Sequence, residues 1–378
     1  MGASPSPLGL NQWRSNDDPP RFIRQDEQGH AVSRVYLDHN ATTPLRAEAR
    51  AAMIAAMDVV GNPSSVHGEG RAALALVERA RGQVAAAFGA DGADIVFVSG
   101  ATEAAALACA GRGLVCAPVE HEAVLAWCEA GLAVDAAGQV SVADPALSAV
   151  QLANSETGVV QDLASGLAVV DATQAFGKVP FAFNWLGCEM ALISAHKLGG
   201  PKGIGALVVR RGTQVAAQIR GGGQEMGRRS GTQNVIGIAG FGAAAEAAMR
   251  DLERGIWSEI EKLRMILEKT IESRAKETIF VGNGAARLPN TSCLLTPGWK
   301  GETQVMQMDL AGFAVSAGSA CSSGKVRASA VLRAMGYDDA EAACAIRVSL
   351  GPQTTMDDVM QFADAWAAAH DRYRSRAA

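Results

Sequence analysis

Residues Met190–Pro201 read MALISAHKLGGP, a short apolar run followed by a histidine, a lysine and two glycines. An apolar run of this length before a glycine-rich segment predicts a buried strand over Met190–Ser194. That strand would deliver Lys197 into a tight loop. Lysine side chains usually stay in water, so a surface turn is the ordinary interpretation. A lysine held beside Ser194 and His196 at a strand end can instead act as a nucleophile, because burial favours its neutral amine.

Similar apolar runs recur along the chain and alternate with helical patterns. The predicted strands of this part are Asp94–Ser99, Leu114–Ala117, Ala149–Ala153, Leu167–Asp171 and Ala206–Val209, and a helix is predicted over Ala101–Ala110. Strands that alternate with helices indicate an α/β protein with a mostly parallel sheet. Residues 154–166 leave only 13 residues for one crossover, so any helix there has one or two turns at most.

The character of the sequence changes near residue 243. A long helical pattern over Ala243–Ala275 is broken or kinked near Gly255. Further strands are predicted at Ser292–Leu295, Ala314–Ser316 and Ile346–Ser349, with helices at Ala328–Met335 and Asp357–His370. We therefore expect a large domain over residues 35–245 and a smaller C-terminal domain over residues 246–378. Residues 1–34 are expected to form a disordered or loosely packed tail, because they are rich in Ser, Pro, Asp, Gln and Arg.

The composition argues against several classes of protein. The chain has 378 residues, of which 48% are hydrophobic, so a sizeable core can form. A net charge of −5 argues against a broad basic surface for nucleic acid. No apolar run is long enough for a transmembrane helix, and no secretory signal is expected. Seven cysteines without a Cys-x-x-Cys pair favour reduced thiols in a cytoplasmic enzyme over disulfides or a zinc site.

Two strand-end motifs point to cofactor chemistry. Val98–Glu103 (VSGATE) places a glycine turn and a helix start after a strand, which can bind phosphate, although an ordinary turn has the same pattern. Asp171 ends an apolar strand 26 residues before Lys197. A pyridoxal phosphate site needs such a pair, the lysine for the aldehyde and the aspartate for the ring nitrogen. A helix cap or a structural ion pair remains the alternative for Asp171.

A third motif surrounds Cys321. Residues Ser316–Lys325 read SAGSACSSGK, so this cysteine lies among small residues with Lys325 and Arg327 nearby. Exposure and positive neighbours favour a reactive thiolate. The sequence contains none of the usual motifs of P-loop nucleotide, zinc-protease or serine-hydrolase sites.

Together these stretches resemble the cysteine desulfurases of the NifS/IscS type, in the class V aminotransferase group of pyridoxal-phosphate enzymes. The matching stretches, in order, are Tyr36–Pro44 (YLDHNATTP), Gly61–Ser65 with His67, Ser99–Glu103, Glu120-His121, Asp171–Gln174 with Gly177-Lys178, Ser194–Gly203, Gly221–Thr232, Leu288–Thr291, Gly318–Ser323 and Ile346–Gly351. The resemblance implies pyridoxal-phosphate fold type I. In that fold a large domain with a mostly parallel sheet of the seven-stranded type is joined to a smaller α/β C-terminal domain.

The resemblance also implies roles for individual residues. Lys197 resembles the lysine that bonds to the cofactor aldehyde and later moves a substrate proton, and Cys321 resembles the cysteine that attacks the substrate sulfur. His121 would stack on the pyridine ring, and Arg347 would bind the substrate carboxylate. The remaining cofactor contacts would be made by Asp171 at the ring nitrogen, by Gln174 at the phenolic oxygen, and by Ala101, Thr102, Ser194 and His196 at the phosphate, with Thr232 from a second subunit.

The implied reaction converts L-cysteine to L-alanine and leaves the sulfur on Cys321 as a persulfide. A protein acceptor, such as an iron–sulfur scaffold, would then take the sulfur. No resident metal is implied, only transient contact between Cys321 and an iron–sulfur acceptor. The resemblance further implies a cytoplasmic homodimer with shared active sites that binds neither nucleic acid nor membrane.

Two features depart from the family pattern. Ser155 stands where the family has a second asparagine that contacts cofactor or substrate, so that contact is expected to be shortened or carried by water. Residues 110–119 and 159–170 are shorter than the family norm. Two alternatives therefore stay open: another lyase or aminotransferase of this fold, such as a selenocysteine lyase, and a weakly active scaffold homologue.

Overall fold

The computed structural model describes residues 22–25, 31–318 and 328–377. Its strands are β1 Phe22–Gln25, β2 Ala31–Tyr36, β3 Asp94–Val98, β4 Val115–Cys116, β5 Glu129–Ala130, β6 Ala133–Val134, β7 Val140–Ser141, β8 Ser148–Gln151, β9 Val169–Asp171, β10 Met190–Ser194, β11 Gly205–Val209, β12 Ile279–Phe280, β13 Thr291–Leu295, β14 Phe313–Ala314, β15 Ser316–Ala317 and β16 Ala345–Ser349. Its α-helices are α1 Ala47–Met57, α2 Gly68–Ala87, α3 Ala101–Cys109, α4 Glu122–Leu125, α5 Phe183–Leu186, α6 Val235–Glu253, α7 Ile256–Arg274, α8 Gly301–Leu310, α9 Ala330–Ala334, α10 Asp339–Ala342 and α11 Met356–Ala377.

A seven-stranded sheet, in the order β3-β11-β10-β9-β8-β4-β5, organises the first part of the described chain. Strand β11 runs antiparallel to β3 and β10, and the remaining pairings are parallel. The sheet is therefore mixed but mostly parallel, which confirms the α/β prediction. All five residues of β10 are buried. Burial on both faces of the sheet explains why this strand has an almost uninterrupted apolar sequence.

The short crossover between β8 and β9 contains no helix in the structure, which describes all of residues 152–168. The backbone turns at Asn154, whose Oδ1 accepts the backbone N–H groups of Glu156 and Thr157, both at 2.9 Å. Ala153 then forms an isolated antiparallel bridge with Val160. This turn returns the chain to β9 with few residues, and it leaves residues 154–156 at the end of β8.

The C-terminal part is built on a second sheet, β12-β13-β16-β15. The single strand predicted over Ala314–Ser316 is wrong, because the chain changes sheets there. Strand β14 pairs with β2, whereas β15 pairs with β16. The predicted break near Gly255 is confirmed: this glycine, with φ of 74°, separates α6 from α7. Helix α6 begins earlier than predicted, at Val235, since its first turns are also apolar.

Separate apolar clusters stabilise the two parts. One lies between the large sheet and helices α2 and α6 and includes Val77, Phe88 and Phe241. Another contains Trp299 and Trp366 of the C-terminal part. We retain the division at residue 245 as a proposal. None of the described helices is long and apolar enough to cross a membrane.

Candidate active site

Candidate residues meet at one edge of the large sheet. Asp171 ends β9 and Ser194 ends β10, and the parallel register pairs Asp171 with Leu192. Strand β11 runs in the opposite direction, so its first residue, Gly205, lies between Ser194 and Val98. The carboxyl ends of β3, β9 and β10 therefore lie side by side. In open α/β sheets this edge is the usual place for a ligand.

A close backbone approach forms one corner of this edge. A Cβ on Gly205 would lie 2.8 Å from the Gly100 Cα and 2.6 Å from a backbone oxygen of β10, so only glycine fits. A Cβ on Gly100 would lie 4.0 Å from Ser194 Oγ. Helix α3 begins at the next residues, Ala101 and Thr102. The first N–H groups of a helix lack partners within the helix, so the start of α3 beside Gly100 and Ser194 can bind an anion. We call this part of the edge the anion corner.

Lys197 lies in a 3₁₀ turn, Ala195–Lys197, that follows β10. Its Nζ donates to the backbone oxygen of Asn40 at 2.7 Å and to that of Ala41 at 3.0 Å. Thr43 Oγ1 donates to the backbone oxygen of Lys197 at 3.1 Å. The lysine is thus fixed against residues 40–43, which follow β2, at both its amine and its backbone.

His196 precedes this lysine and keeps an uncharged ring. Its Nδ1 lies 3.2 Å from Thr42 Oγ1. Burial, together with the Lys197, Lys202 and Lys178 cations, lowers the pKa of His196 to about 4. A neutral imidazole can still donate one hydrogen bond to an anion at this corner.

Asn40 is a buried residue that the sequence analysis did not single out. Its Nδ2 donates to Thr291 Oγ1 at 2.8 Å and to the Ser155 backbone oxygen at 3.2 Å. Its Oδ1 accepts from Lys178 Nζ and Asn290 Nδ2, both at 3.1 Å. The amide of Asn40 is therefore fully hydrogen-bonded. The only signal in the sequence was its position in the YLDHNATTP stretch.

Gln174 lies against the same backbone. Its Nε2 donates to the Asn40 oxygen at 3.0 Å, and its Oε1 accepts from Lys178 Nζ at 2.8 Å. Nearby, the Asp171 Oδ1 accepts the Thr173 N–H at 2.9 Å. The turn after β9 thus holds the predicted Asp171 and Gln174 close to the residues that hold Lys197.

Arg347 is buried in the middle of β16 and is connected to this network. Its Nη2 contacts Asp38 Oδ1 at 2.7 Å, and its Nη1 donates to the Ser155 backbone oxygen at 3.1 Å. Its Nε has no hydrogen-bond partner within the described part of the protein. Ser155 therefore joins Arg347 to Asn40 through its carbonyl, a group that asparagine at this position would supply equally.

His121 is exposed at the start of α4, where its Nδ1 accepts the Ala123 N–H at 3.1 Å. The preceding residue, Glu120, is fully buried and accepts the Gln151 N–H at 2.9 Å through Oε1. Burial, and after it the Asp171 carboxylate, raise the pKa of Glu120 well above its usual value.

Two predicted residues lie apart from this network. Thr232 is exposed at the surface. An ion pair between Arg229 and Glu103, at 2.8 Å, connects the segment just before Thr232 to α3. Cys321 lies outside the described residues. The described residue Ser329, just after that segment, donates to Glu156 Oε2 at 2.6 Å. Burial raises the pKa of Glu156 to about 7, although Ser329 and the Arg347 cation oppose the shift.

The model of the class-V aminotransferase family matches residues 35–362. The chain belongs to this family. It is 40% identical over 365 residues to the cysteine desulfurase of Cereibacter sphaeroides, an alignment that covers 87% of this chain and 93% of the relative. It is 36% identical over 361 residues to cysteine desulfurase IscS of Dictyoglomus turgidum, covering 86% and 91%. The solved NifS-like protein from Rickettsia africae superimposes with a TM-score of 0.81 and 32% identity, covering 89% of this chain and 99% of that one.

Enzymes of this class-V family work with pyridoxal phosphate, and the edge of the sheet fits that cofactor. It offers an anion corner at α3, an amine at Lys197 and a carboxylate at Asp171. In addition, Thr173 Oγ1 and Arg347 Nε are buried polar atoms without a hydrogen-bond partner among the described residues. Such atoms are costly unless a ligand pairs with them.

The raised pKa of Glu156 predicts a stability that depends on pH. A carboxyl whose folded-state pKa is about 7, against an ordinary 4.5, binds a proton more tightly in the fold. Its contribution to stability is present at low pH and is lost as pH rises from 4.5 through 7, by up to about 3 kcal/mol. Glu156→Gln should remove this loss.

Chemical unfolding of the cofactor-free protein at pH 5 and pH 8 measures the effect. Between pH 5 and pH 8, the free energy of unfolding should fall more for the wild type than for Glu156→Gln. Glu272→Gln, an exposed carboxylate on α7, is the control and should keep the wild-type pH dependence. Equal pH dependence in the wild type and Glu156→Gln would contradict the shifted titration.

Proposed function

We propose that the chain is a cysteine desulfurase that converts L-cysteine to L-alanine and transfers the sulfur to Cys321. One observation carries the proposal: Asn40 and Ser155 link Arg347, a buried cation with an unpaired Nε, to Lys197. An amino acid whose carboxylate binds Arg347 would therefore have its α-amino group near the lysine amine. The cysteine desulfurases among the relatives support the choice of substrate.

Bound pyridoxal phosphate supplies an aldehyde for the substrate amine and a ring that withdraws electrons from the substrate carbons. The residues of this chain orient it and move protons. The start of α3 and the Ser194 hydroxyl would bind the phosphate. Asp171 would hold a proton on the ring nitrogen, and Gln174 would donate an N–H to the phenolic oxygen. His121, whose Nδ1 accepts the Ala123 N–H, would stack its ring on the pyridine.

Lys197 performs the proton transfers at the substrate. With substrate bound, its Nζ would act as a base at the end of β10, where it lies 2.7 Å from the Asn40 oxygen. It removes the Cα proton of cysteine and returns a proton to the substrate as alanine forms. The backbone oxygens of Asn40 and Ala41, which accept hydrogen bonds from this amine, are uncharged. They orient the amine without adding a negative charge to the site.

The sulfur step is a transfer between two thiols. The Cys321 thiolate attacks the substrate sulfur, so an S–S bond forms while the substrate C–S bond breaks. The electron pair of the C–S bond stays with the substrate carbon, which takes up a proton and leaves as alanine. The overall change is L-cysteine plus Cys321–SH to L-alanine plus Cys321–SSH, with no external oxidant.

Alanine formation from L-cysteine tests this proposal. The protein loaded with pyridoxal phosphate should release alanine and carry one persulfide at Cys321, found by peptide mapping after alkylation. Cys321→Ser should bind cofactor and cysteine but lose the persulfide and nearly all turnover, because a hydroxyl is a poor acceptor for sulfur.

Cys128→Ser is the matched control, since Cys128 is the least buried cysteine among the described residues. This variant should keep both activity and the persulfide. Persulfide on a cysteine other than Cys321 would contradict the proposed role. Absence of alanine from the loaded wild type would contradict the function itself.

The active form is proposed to be a homodimer. Large apolar side chains are exposed around α1, α2 and the loop before α6; they are Ile54, Met57, Val60, Val66 and Met226. A second copy of the chain could cover exposed apolar side chains of this kind. Thr232 is exposed in the same loop region, so it can reach a phosphate in the partner. The protein is proposed to act in the cytoplasm, with an iron–sulfur scaffold as sulfur acceptor.

Mixing two inactive variants tests the shared site. Lys197→Ala combined with Thr232→Ala should recover about one quarter of wild-type activity, because half of randomly formed dimers are mixed and each has one intact site. Lys197→Ala combined with Asp171→Ala is the control and should stay inactive, since both residues belong to one subunit. Equal results for the two mixtures, after proven exchange of subunits, would contradict a shared site.

A further inference from the structure

Lys178 is a second lysine at the same sheet edge and, unlike Lys197, it is buried. It is 2% exposed, and its Nζ donates to Gln174 Oε1 at 2.8 Å and to Asn40 Oδ1 at 3.1 Å. Both partners are side-chain amides, and both are themselves buried. Burial, followed by the Lys197 and Arg347 cations, lowers the pKa of Lys178 well below its usual value. An apolar side chain of similar length would avoid the free-energy cost of burying an amine. The presence of the amine at this position therefore calls for a functional explanation.

The amine decides which end of each amide faces it. The Lys178 amine donates an N–H group to each of the two amides, and an amide has an oxygen that accepts and an NH₂ that donates. Lys178 therefore holds the oxygens of Gln174 and Asn40 towards itself. If either amide turned over, its NH₂ would meet the lysine donors and one buried hydrogen bond would be lost.

Both orientations matter for the cofactor. With its oxygen on Lys178, Gln174 directs its NH₂ to the Asn40 backbone oxygen at 3.0 Å and has one N–H left for another acceptor. The same Asn40 oxygen accepts from Lys197 Nζ. With its Oδ1 on Lys178, Asn40 also keeps its NH₂ on Ser155 and Thr291. Lys178 is thus one hydrogen bond from Gln174, and its other partner, Asn40, holds the Lys197 amine through its backbone oxygen.

We propose that Lys178 is a positioning residue that fixes the Gln174 amide, so that Gln174 donates rather than accepts at the phenolic oxygen of pyridoxal phosphate. This inference rests on the proposed site. It assigns Lys178 no contact with cofactor or substrate. Its effect is on proton affinity, because an N–H donor stabilises the ionised phenolic oxygen and a turned amide oxygen would repel it.

The pH midpoint of the absorption band of bound cofactor, recorded without substrate, tests the proposal. Lys178→Met should raise this midpoint by about one pH unit, the scale of a hydrogen bond to a charged group. Lys178→Arg, which again supplies N–H donors to both amide oxygens, should return the midpoint towards the wild type. Lys269→Met, an exposed lysine on α7, is the control and should leave the midpoint unchanged.

A double-mutant cycle separates positioning from a merely structural role. In a Gln174→Ala background, Lys178→Met should no longer move the midpoint, because the group through which it acts is gone. An equal shift in both backgrounds overturns the proposal. If Lys178→Met does not fold, as judged by circular dichroism, the Arg variant decides. Folded Lys178→Arg with a wild-type midpoint supports the proposal, and a raised midpoint overturns it.

These readouts are independent of the substrate. If the loaded wild type forms no alanine from cysteine, the proposed function is wrong. The pH midpoints of the absorption band still test the positioning role of Lys178 in that case. If alanine forms, kcat provides a further check. Lys178→Met should lower kcat about tenfold with KM changed less than twofold, because the amide orientation acts on the cofactor rather than on substrate binding. A change confined to KM counts against the proposal.

Discussion

The buried amide of Asn40 is the constraint on which the candidate site depends. Its four hydrogen bonds join the turn after β8, the turn after β9 and the start of β13, and its backbone oxygen adds Lys197. Each unpaired polar atom in such a buried place costs about 1–3 kcal/mol. The partners must therefore be satisfied together, and this requirement fixes four chain segments relative to one another.

The geometry of the site follows from that network. Arg347 belongs to the C-terminal sheet and Lys197 to the large sheet, yet both are within two hydrogen bonds of Asn40. Substrate carboxylate and amine can thus be held by different parts of the fold at a set spacing. Asp38 pairs with Arg347 and also accepts from Ser316 Oγ at 2.8 Å, just before the segment that carries Cys321. The same acidic residue therefore connects Arg347 of β16 to Ser316 of β15.

Much of the fold could be predicted from the sequence, because apolar runs and the helical periodicity of apolar residues indicate which local segments are buried. The strand over Met190–Ser194 and the break at Gly255 agree with the structure. Asp171 and Lys197 could be placed at the ends of strands for the same reason. Contacts between distant segments left no local pattern: Asn40 meets Asn290 across 250 positions, and Lys178 looks like any solvated lysine until its surroundings are known. Strand changes such as the one at residue 315 depend on pairing partners, which a local pattern does not contain.

Covalent attachment of pyridoxal phosphate to Lys197 is the central claim, and reductive labelling measures it most directly. The loaded protein is reduced with borohydride and digested, and mass spectrometry locates the pyridoxyl group. Lys197 should carry the label, because its amine is held at the end of β10 beside Asp171 and the anion corner. Label on Lys178, a buried lysine at this edge, or on the exposed Lys202 would contradict the site.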